Sequence, residues 1–257
     1  MVFSLCTALG LGSMLGLSLM GAQKMLRNEQ IAKRLPIIPI SPETTIIAFD
    51  IHGVLFEPDM HKIKQILKKN MHVFKTVRYL LWPPFIIDMI RLIHKKAVPE
   101  EYINHLCTQY KGITPYKNLA IELANAQKPI DHMLALIKQL KTLGYQLHIF
   151  SNIGTEIFTQ LAHERPDFFS HFDHVYMPHA ANNFIGKPHH KAFYDYLKLK
   201  NPYDKQILFI DNRHQNIKAS HACALFGIHF TSHAALQQKL AQLEVFKQNV
   251  ANSTTLA

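Results

Sequence analysis

Apolar residues in this chain fall into short blocks separated by helical stretches. TTIIAFDI (44–51) is β-branched and apolar almost throughout, which predicts a buried strand. The same pattern predicts strands at YQLHIFS (145–151), HFDHVYM (171–177), QILFID (206–211) and, shorter, GIHFT (227–231). DHMLALIKQLKTLG (131–144) has an apolar stripe and a glycine stop, the signature of a helix. TEIFTQLAHE follows the second strand, HKAFYDYLKLK the third and RHQNIKASHACAL the fourth, and HAALQQKLAQLEVFKQ closes the series. Strands alternating with helices of this length predict an α/β fold built on a doubly wound parallel sheet.

The stretch 58–130 breaks the alternation. It is helical in pattern, without a clear strand, and contains MHVFKTVRYLLWPPFIIDMIRLIHKKAV. Pro83-Pro84, Asp88 and Arg91 interrupt that run too often for a membrane span. Two helices broken at the prolines, forming a cap over the sheet, are expected. Trp82 with Arg78, Lys95 and Lys96 could also touch a membrane surface.

Residues 1–23, MVFSLCTALGLGSMLGLSLMGAQ, carry no charge before Lys24. A helix of about 20 apolar residues can cross a bilayer. The positive charges follow it, at Lys24, Arg27, Lys33 and Arg34, and by the positive-inside rule that flank stays cytoplasmic. The expectation is a membrane anchor with the remaining chain in the cytoplasm; the alternative is a cleaved signal and export. LPIIPISPE then reads as an extended linker. The organisation is therefore 1–23 anchor or targeting segment, 24–43 basic proline-containing linker, 44–57 and 131–246 core, 58–130 helical cap and 247–257 flexible tail.

Composition narrows the function. Of 257 residues, 48% are apolar, enough for a sizeable core. The formal charge of +10 favours anionic partners, and a phosphorylated small molecule or an anionic membrane surface fits it. Nucleic acid is not expected, because no zinc-finger spacing or arginine-rich run is present. Three widely separated cysteines suit a reducing compartment, not a disulfide framework.

Ligands of parallel sheets bind at the carboxyl ends of the strands. Those ends carry Asp50 after the first strand, Ser151-Asn152 after the second and Asp211-Asn212 after the fourth; Gly186-Lys187-Pro188 follows the third. Each residue alone is an ordinary cap or turn residue. Together they are the parts needed to transfer a phosphoryl group. An aspartate can attack phosphorus and split one hard step into two. Two aspartates can hold magnesium, which prefers hard oxygen ligands. A serine can donate to a phosphate oxygen, and a lysine can offset developing charge.

The set FDIHGVL, IFSN, GKPHHKAFYDYL and FIDNRHQNI resembles the four motifs of the haloacid dehalogenase-like hydrolases over residues 44–235. It is most similar to the phosphatase and dehalogenase branch with a helical cap. The resemblance implies a Rossmann-like core and magnesium as cofactor. It makes Asp50 the nucleophile and puts Ser151, Asn152 and Lys187 on the phosphate. The metal then falls to Asp50, the His52 backbone carbonyl and Asp211, with Asn212 behind them.

Two positions depart from the family pattern. The fourth motif often reads Asp-Asp, and here it is Asp211-Asn212. The family's acid/base aspartate, two residues after the nucleophile, is His52. Histidine is itself a proton donor and acceptor with a reference pKa near 6.5, so His52 is the candidate acid/base beside Asp50. The sequence thus points to a magnesium-dependent phosphatase for a small phosphorylated metabolite. A catalytically weak protein acting through phosphate, metal, partner or membrane contact is the alternative. Haloacid dehalogenation ranks lower, because that chemistry needs no metal.

Overall fold

The computed structural model describes residues 39–70, 107–108, 114–201 and 204–246. The expected anchor 1–23, most of the linker, most of the cap with its Trp82 segment, and the tail 247–257 lie outside the described residues. Among those described, no helix is long and apolar enough to cross a membrane.

Among the described residues five parallel strands form the main sheet: β1 (Thr45–Phe49), β4 (Gln146–Phe150), β5 (His174–Tyr176), β6 (Gln206–Asp211) and β7 (Phe226–His229), in the spatial order β5-β4-β1-β6-β7. Each falls inside or within a residue of the apolar block that predicts it. β1 is buried from end to end, which is why its sequence shows no polar alternation. It pairs with β4 on one side and β6 on the other. The chain runs outward from β1 to β4 and β5, then returns across β1 to β6 and β7. The direction reverses between β1 and β6, and the crevice at such a switch point is where ligands bind in open α/β sheets.

Side chains alternate across the strands and fill a core on each face. Ile47, Phe49, Leu147, Ile149, Leu208 and Ile210 point to one side. They meet Met133, Leu136, Ile137 and Leu140 of α3 (Met133–Thr142) and Leu236 and Leu240 of α8 (His233–Gln242). Leu161 of α4 (Thr155–Glu164) and Phe168 of the one-turn helix α5 (Pro166–Phe169) join the same core. Ile46, Ala48, Phe150, Ile207 and Phe209 point the other way. They pack on Ala192, Phe193 and Tyr196 of α6 (His190–Lys200) and Ile217 and Ala219 of α7 (His214–Ala222). The doubly wound expectation is met. At about 25 cal/mol per Å² of buried apolar surface, these two cores are the main source of stability.

The sequence reading finds no strand in 58–130, and here the structure differs. β2 (Phe56–Pro58) and β3 (Gln127–Pro129) form a small antiparallel ribbon at the root of the inserted segment. Three-residue strands that each end in proline show no alternation to detect. Hydrogen bonds from Asp59 N–H to Ala126 O (2.8 Å) and from Ile130 N–H to Leu55 O (3.0 Å) bracket the ribbon. The chain then enters α1 (Met60–Lys69), capped by Asp59, whose carboxylate accepts from the His61 and Lys62 amides at 3.0 Å each. It returns through α2 (Thr114–Ala124), which packs on α1.

Candidate active site

Asp50 follows β1 directly, and its backbone N–H still donates to Ile210 O of β6 at 2.9 Å. Asp211 is the last residue of β6, and its carbonyl accepts from Phe230 N–H at 2.9 Å. Sheet hydrogen bonds therefore extend to the rim and hold the two carboxylates at the reversal point.

Lys187 joins them. Its Nζ lies 3.2 Å from Asp50 Oδ1 and 2.7 Å from Asp211 Oδ2, and it donates to Phe150 O at 2.6 Å. Its rings of apolar contact are Phe150 and Phe209, 5.2 and 5.0 Å from Nζ to the centroids. Asp50, Lys187 and Asp211 are 7%, 3% and 0% exposed. Buried charges survive only when paired and hydrogen-bonded. One ammonium against two carboxylates leaves the triad net negative, so it still calls for positive charge.

The two carboxylates differ in what surrounds them. Asp211 also accepts from Arg213 N–H at 2.8 Å on Oδ1 and from Asn216 Nδ2 at 2.8 Å on Oδ2. With Lys187, three donors occupy a group that has about four acceptor positions. The sequence reading made Asp211 a principal metal ligand and put Asn212 behind it. Asp211 is largely saturated by these bonds, while Asn212 Oδ1 is buried with no hydrogen-bond partner. Asn216, which supports Asp211, stands in plain view within FIDNRHQNI, yet its spacing alone gives no sign of that role.

Asn152, expected on the phosphate, is tied to the Lys187 main chain. Its Oδ1 accepts from Lys187 N–H at 2.8 Å and its Nδ2 donates to Lys187 O at 2.7 Å. Both amide atoms hold the Lys187 main chain, so the side chain acts through Lys187. This close approach requires Gly186, where an added Cβ would sit 2.5 Å from Asn152 Oδ1. Ser151, next to the Phe150 carbonyl that Lys187 grips, is buried, and its Oγ has no partner. An unsatisfied buried hydroxyl is the donor a phosphate oxygen would satisfy.

The first-motif loop turns tightly after Asp50. Gly53 has φ +76°, and an added Cβ there would collide with Asn212 Nδ2. Glycine is needed here twice over, for the left-handed backbone and for the contact between the two rim loops. His52, just before it, has an exposed side chain whose Nδ1 lies 2.8 Å from Gln127 Oε1. Gln127 has no counterpart in the sequence reading, because it lies 75 positions away in the ribbon. Among the described residues no cluster of three His, Cys, Asp or Glu side chains could hold a metal ion. A metal at this rim would need backbone or amide oxygens as well.

With this geometry in place, the chain can be compared with known proteins. Residues 44–223 match the haloacid dehalogenase-like hydrolase family. The chain is 26% identical over 198 residues to the sesquiterpene phosphatase astK of Aspergillus oryzae, covering 76% of this chain and 94% of that protein. Its fold is similar to a HAD family enzyme of Bacteroides thetaiotaomicron solved in complex with magnesium and inorganic phosphate (15% identity, 74% of this chain and 95% of that one, TM-score 0.50). It is also similar to a HAD-like family hydrolase of Porphyromonas gingivalis (18% identity, 76% and 97%, TM-score 0.51).

Proposed function

Because the chain belongs to the haloacid dehalogenase-like hydrolases, we propose that it is a magnesium-dependent phosphatase that passes a phosphoryl group through Asp50. The carrying observation is the buried triad, in which Lys187 bridges Asp50 and Asp211 beside two buried oxygens, Ser151 Oγ and Asn212 Oδ1, that lack partners. The curated relative, a phosphatase by name, supports the same reaction class.

In this reading an Asp50 carboxylate oxygen attacks phosphorus and the bond to the ester oxygen breaks. The departing oxygen takes a proton from the His52 imidazolium. Water then attacks the aspartyl-phosphate, gives a proton to the neutral imidazole, and the carboxylate and phosphate separate. Ser151 donates to the phosphate. Lys187 balances the charge that Asp50 shares with it and stays fixed through Asn152. Asp211, held by Arg213 and Asn216, serves chiefly to fix Lys187.

The residues present fit magnesium. The triad is net negative, Asn212 Oδ1 is an unsatisfied buried acceptor, and the set Asp50 carboxylate, His52 carbonyl and Asn212 Oδ1 is all oxygen, as the hard ion prefers. These three would hold it, with Asp211 behind them. When bound, the ion neutralises phosphate charge. An amide replaces a second carboxylate in this set, so half-saturation at raised magnesium is expected.

A small phosphate monoester is the proposed substrate. The full-length chain is assayed with an aryl phosphate and with a sesquiterpene monophosphate, with and without magnesium. Turnover that depends on magnesium and vanishes in Asp50→Asn supports the reading. A parent no faster than Asp50→Asn between pH 5 and 9 ends it. The charge asymmetry around residues 1–23 supports a membrane anchor with the catalytic domain on the cytoplasmic side. If deleting those residues leaves membrane sedimentation unchanged, the anchor is ruled out.

A further inference from the structure

His52 is exposed and stands on a turn, where an imidazole would ordinarily sample several rotamers and both neutral tautomers. A short chain of hydrogen bonds removes that freedom. Gln127 Nε2 donates to the Ala124 carbonyl, which can only accept. That bond fixes the orientation of the amide and turns Oε1 toward His52. Oε1 is likewise only an acceptor, so the 2.8 Å contact requires a proton on His52 Nδ1. Neutral His52 then carries its lone pair on Nε2.

The support behind Gln127 is backbone, not loose side chain. Gln127 is the first residue of β3 and pairs with Pro58 of β2. Its N–H donates to Asn125 O at 2.9 Å. Asn125 is buried and donates through Nδ2 to Gln160 Oε1 of α4 at 2.7 Å. On the other side Gly53 N–H donates to Phe56 O at 2.6 Å, so the turn that carries His52 is stitched to the same ribbon.

We propose that Gln127 is a positioning residue, which holds His52 as the Nδ1–H tautomer with Nε2 presented for proton transfer. The proposal rests on the phosphatase reading above and deepens it. The ribbon at the root of the cap thereby does for His52 what a buried carboxylate does for other catalytic histidines: it fixes the tautomer and the ring plane. It does so without adding charge beside the phosphate.

The test uses the full-length chain, Gln127→Met, which keeps length but has no acceptor, and Gln127→Glu, which restores one. The ¹⁵N signals of the His52 imidazole, assigned by their loss in His52→Ala, report the tautomer whether or not turnover occurs. The parent should show Nδ1–H, and Gln127→Met should shift toward Nε2–H, the form preferred by free imidazole. For the aryl phosphate, kcat should fall about tenfold to hundredfold in Gln127→Met, part of the roughly 100- to 10,000-fold that acid–base help supplies. KM should stay within about twofold, and Gln127→Glu, which restores the acceptor but not the bond to the Ala124 carbonyl, should recover part of the rate. On a His52→Ala background, Gln127→Met should add no further loss. A parent without magnesium-dependent turnover overturns the phosphatase reading on which the proposal stands. A parent that turns over but shows Nε2–H, or a Gln127→Met variant as fast as the parent, overturns the positioning role alone.

Discussion

β1 and β6 are neighbours, and an aspartate stands at the carboxyl end of each, yet the two carboxylates live in different surroundings. Asp211 is fully buried and accepts from Lys187, Asn216 and the Arg213 amide. Asp50 retains slight exposure and shares Lys187 at the longer distance of 3.2 Å. Every donor on a carboxylate stabilises the anion and occupies a lone pair. Asp211 is therefore suited to be a fixed charge, and Asp50 to present an oxygen that can react. Residue type and strand position are the same; the count of donors separates the roles.

The sharpest way to break this contrast is to neutralise each carboxylate in turn. Asp50→Asn should lower turnover of an aryl phosphate by a factor on the order of 10⁴ or more, since the proposed nucleophile is lost. Its melting temperature should shift far less than that of the Asp211 variant. Asp211→Asn should do the opposite in stability. Whichever way its amide turns, the new NH₂ faces a donor, either Lys187 and Asn216 or the Arg213 amide. Either way a buried donor is left facing another donor, which costs about 1–3 kcal/mol. Denaturant melts of the two variants beside their rates check both halves. Equal stability loss in the two would mean the carboxylates are not distinct.

How much of this was legible in the chain follows from the same contrast. β1, β4 and β6 announce themselves because they are buried on both faces, so apolar runs mark them. Asp50, Ser151, Lys187 and Asp211 were visible because each stands just beyond such a run or at the start of the helix that follows one. What spacing cannot carry is a contact between distant loops. Asn152 reaches across 35 positions to the Lys187 backbone and His52 across 75 to Gln127. Those two contacts tie Asn152 to the Lys187 main chain and add a residue the motifs omit. The donors on Asp211 were likewise out of reach, because the Arg213 amide and the Asn216 side chain meet it only in the fold.

A buried titratable group without such donors should behave differently, and His148 on β4 provides the case. It is fully buried, shares one hydrogen bond with Tyr196 Oη at 2.9 Å, and leaves Nε2 unpaired. Burial, with His174 beside it adding to the effect, pushes its imidazole down to about 4. His148 gives its charge up. The folded value lies below the unfolded one near 6.5, so the unfolded chain binds the proton first as pH falls. The stabilisation is complete above pH 6.5 and is lost between 6.5 and 4, amounting to about 2 kcal/mol by pH 5. Denaturant unfolding at pH 7 and pH 5 should show a drop of that size in the parent. The drop should be shallower by the same amount in His148→Phe. Identical pH slopes in the two would mean His148 titrates in the fold as it does in the unfolded chain.

The smallest change bears on the contact between the two rim loops. Gly53 has a left-handed backbone and admits Asn212 Nδ2 where a Cβ would otherwise be. Alanine in the left-handed region costs roughly 1–2 kcal/mol. Its methyl group must in addition displace the Asn212 side chain, while Asp211, gripped by three donors, has no reason to move. Gly53→Ala should thus separate the two neighbours of the fourth motif. The Lys187 triad and most of the stability should persist, and the magnesium concentration for half-maximal turnover should rise several-fold because Asn212 Oδ1 leaves the proposed donor set. If magnesium dependence is unchanged while stability falls by the expected amount, the ion is held by Asp211 after all. In that case the contrast between the two strand-end carboxylates narrows to their burial alone.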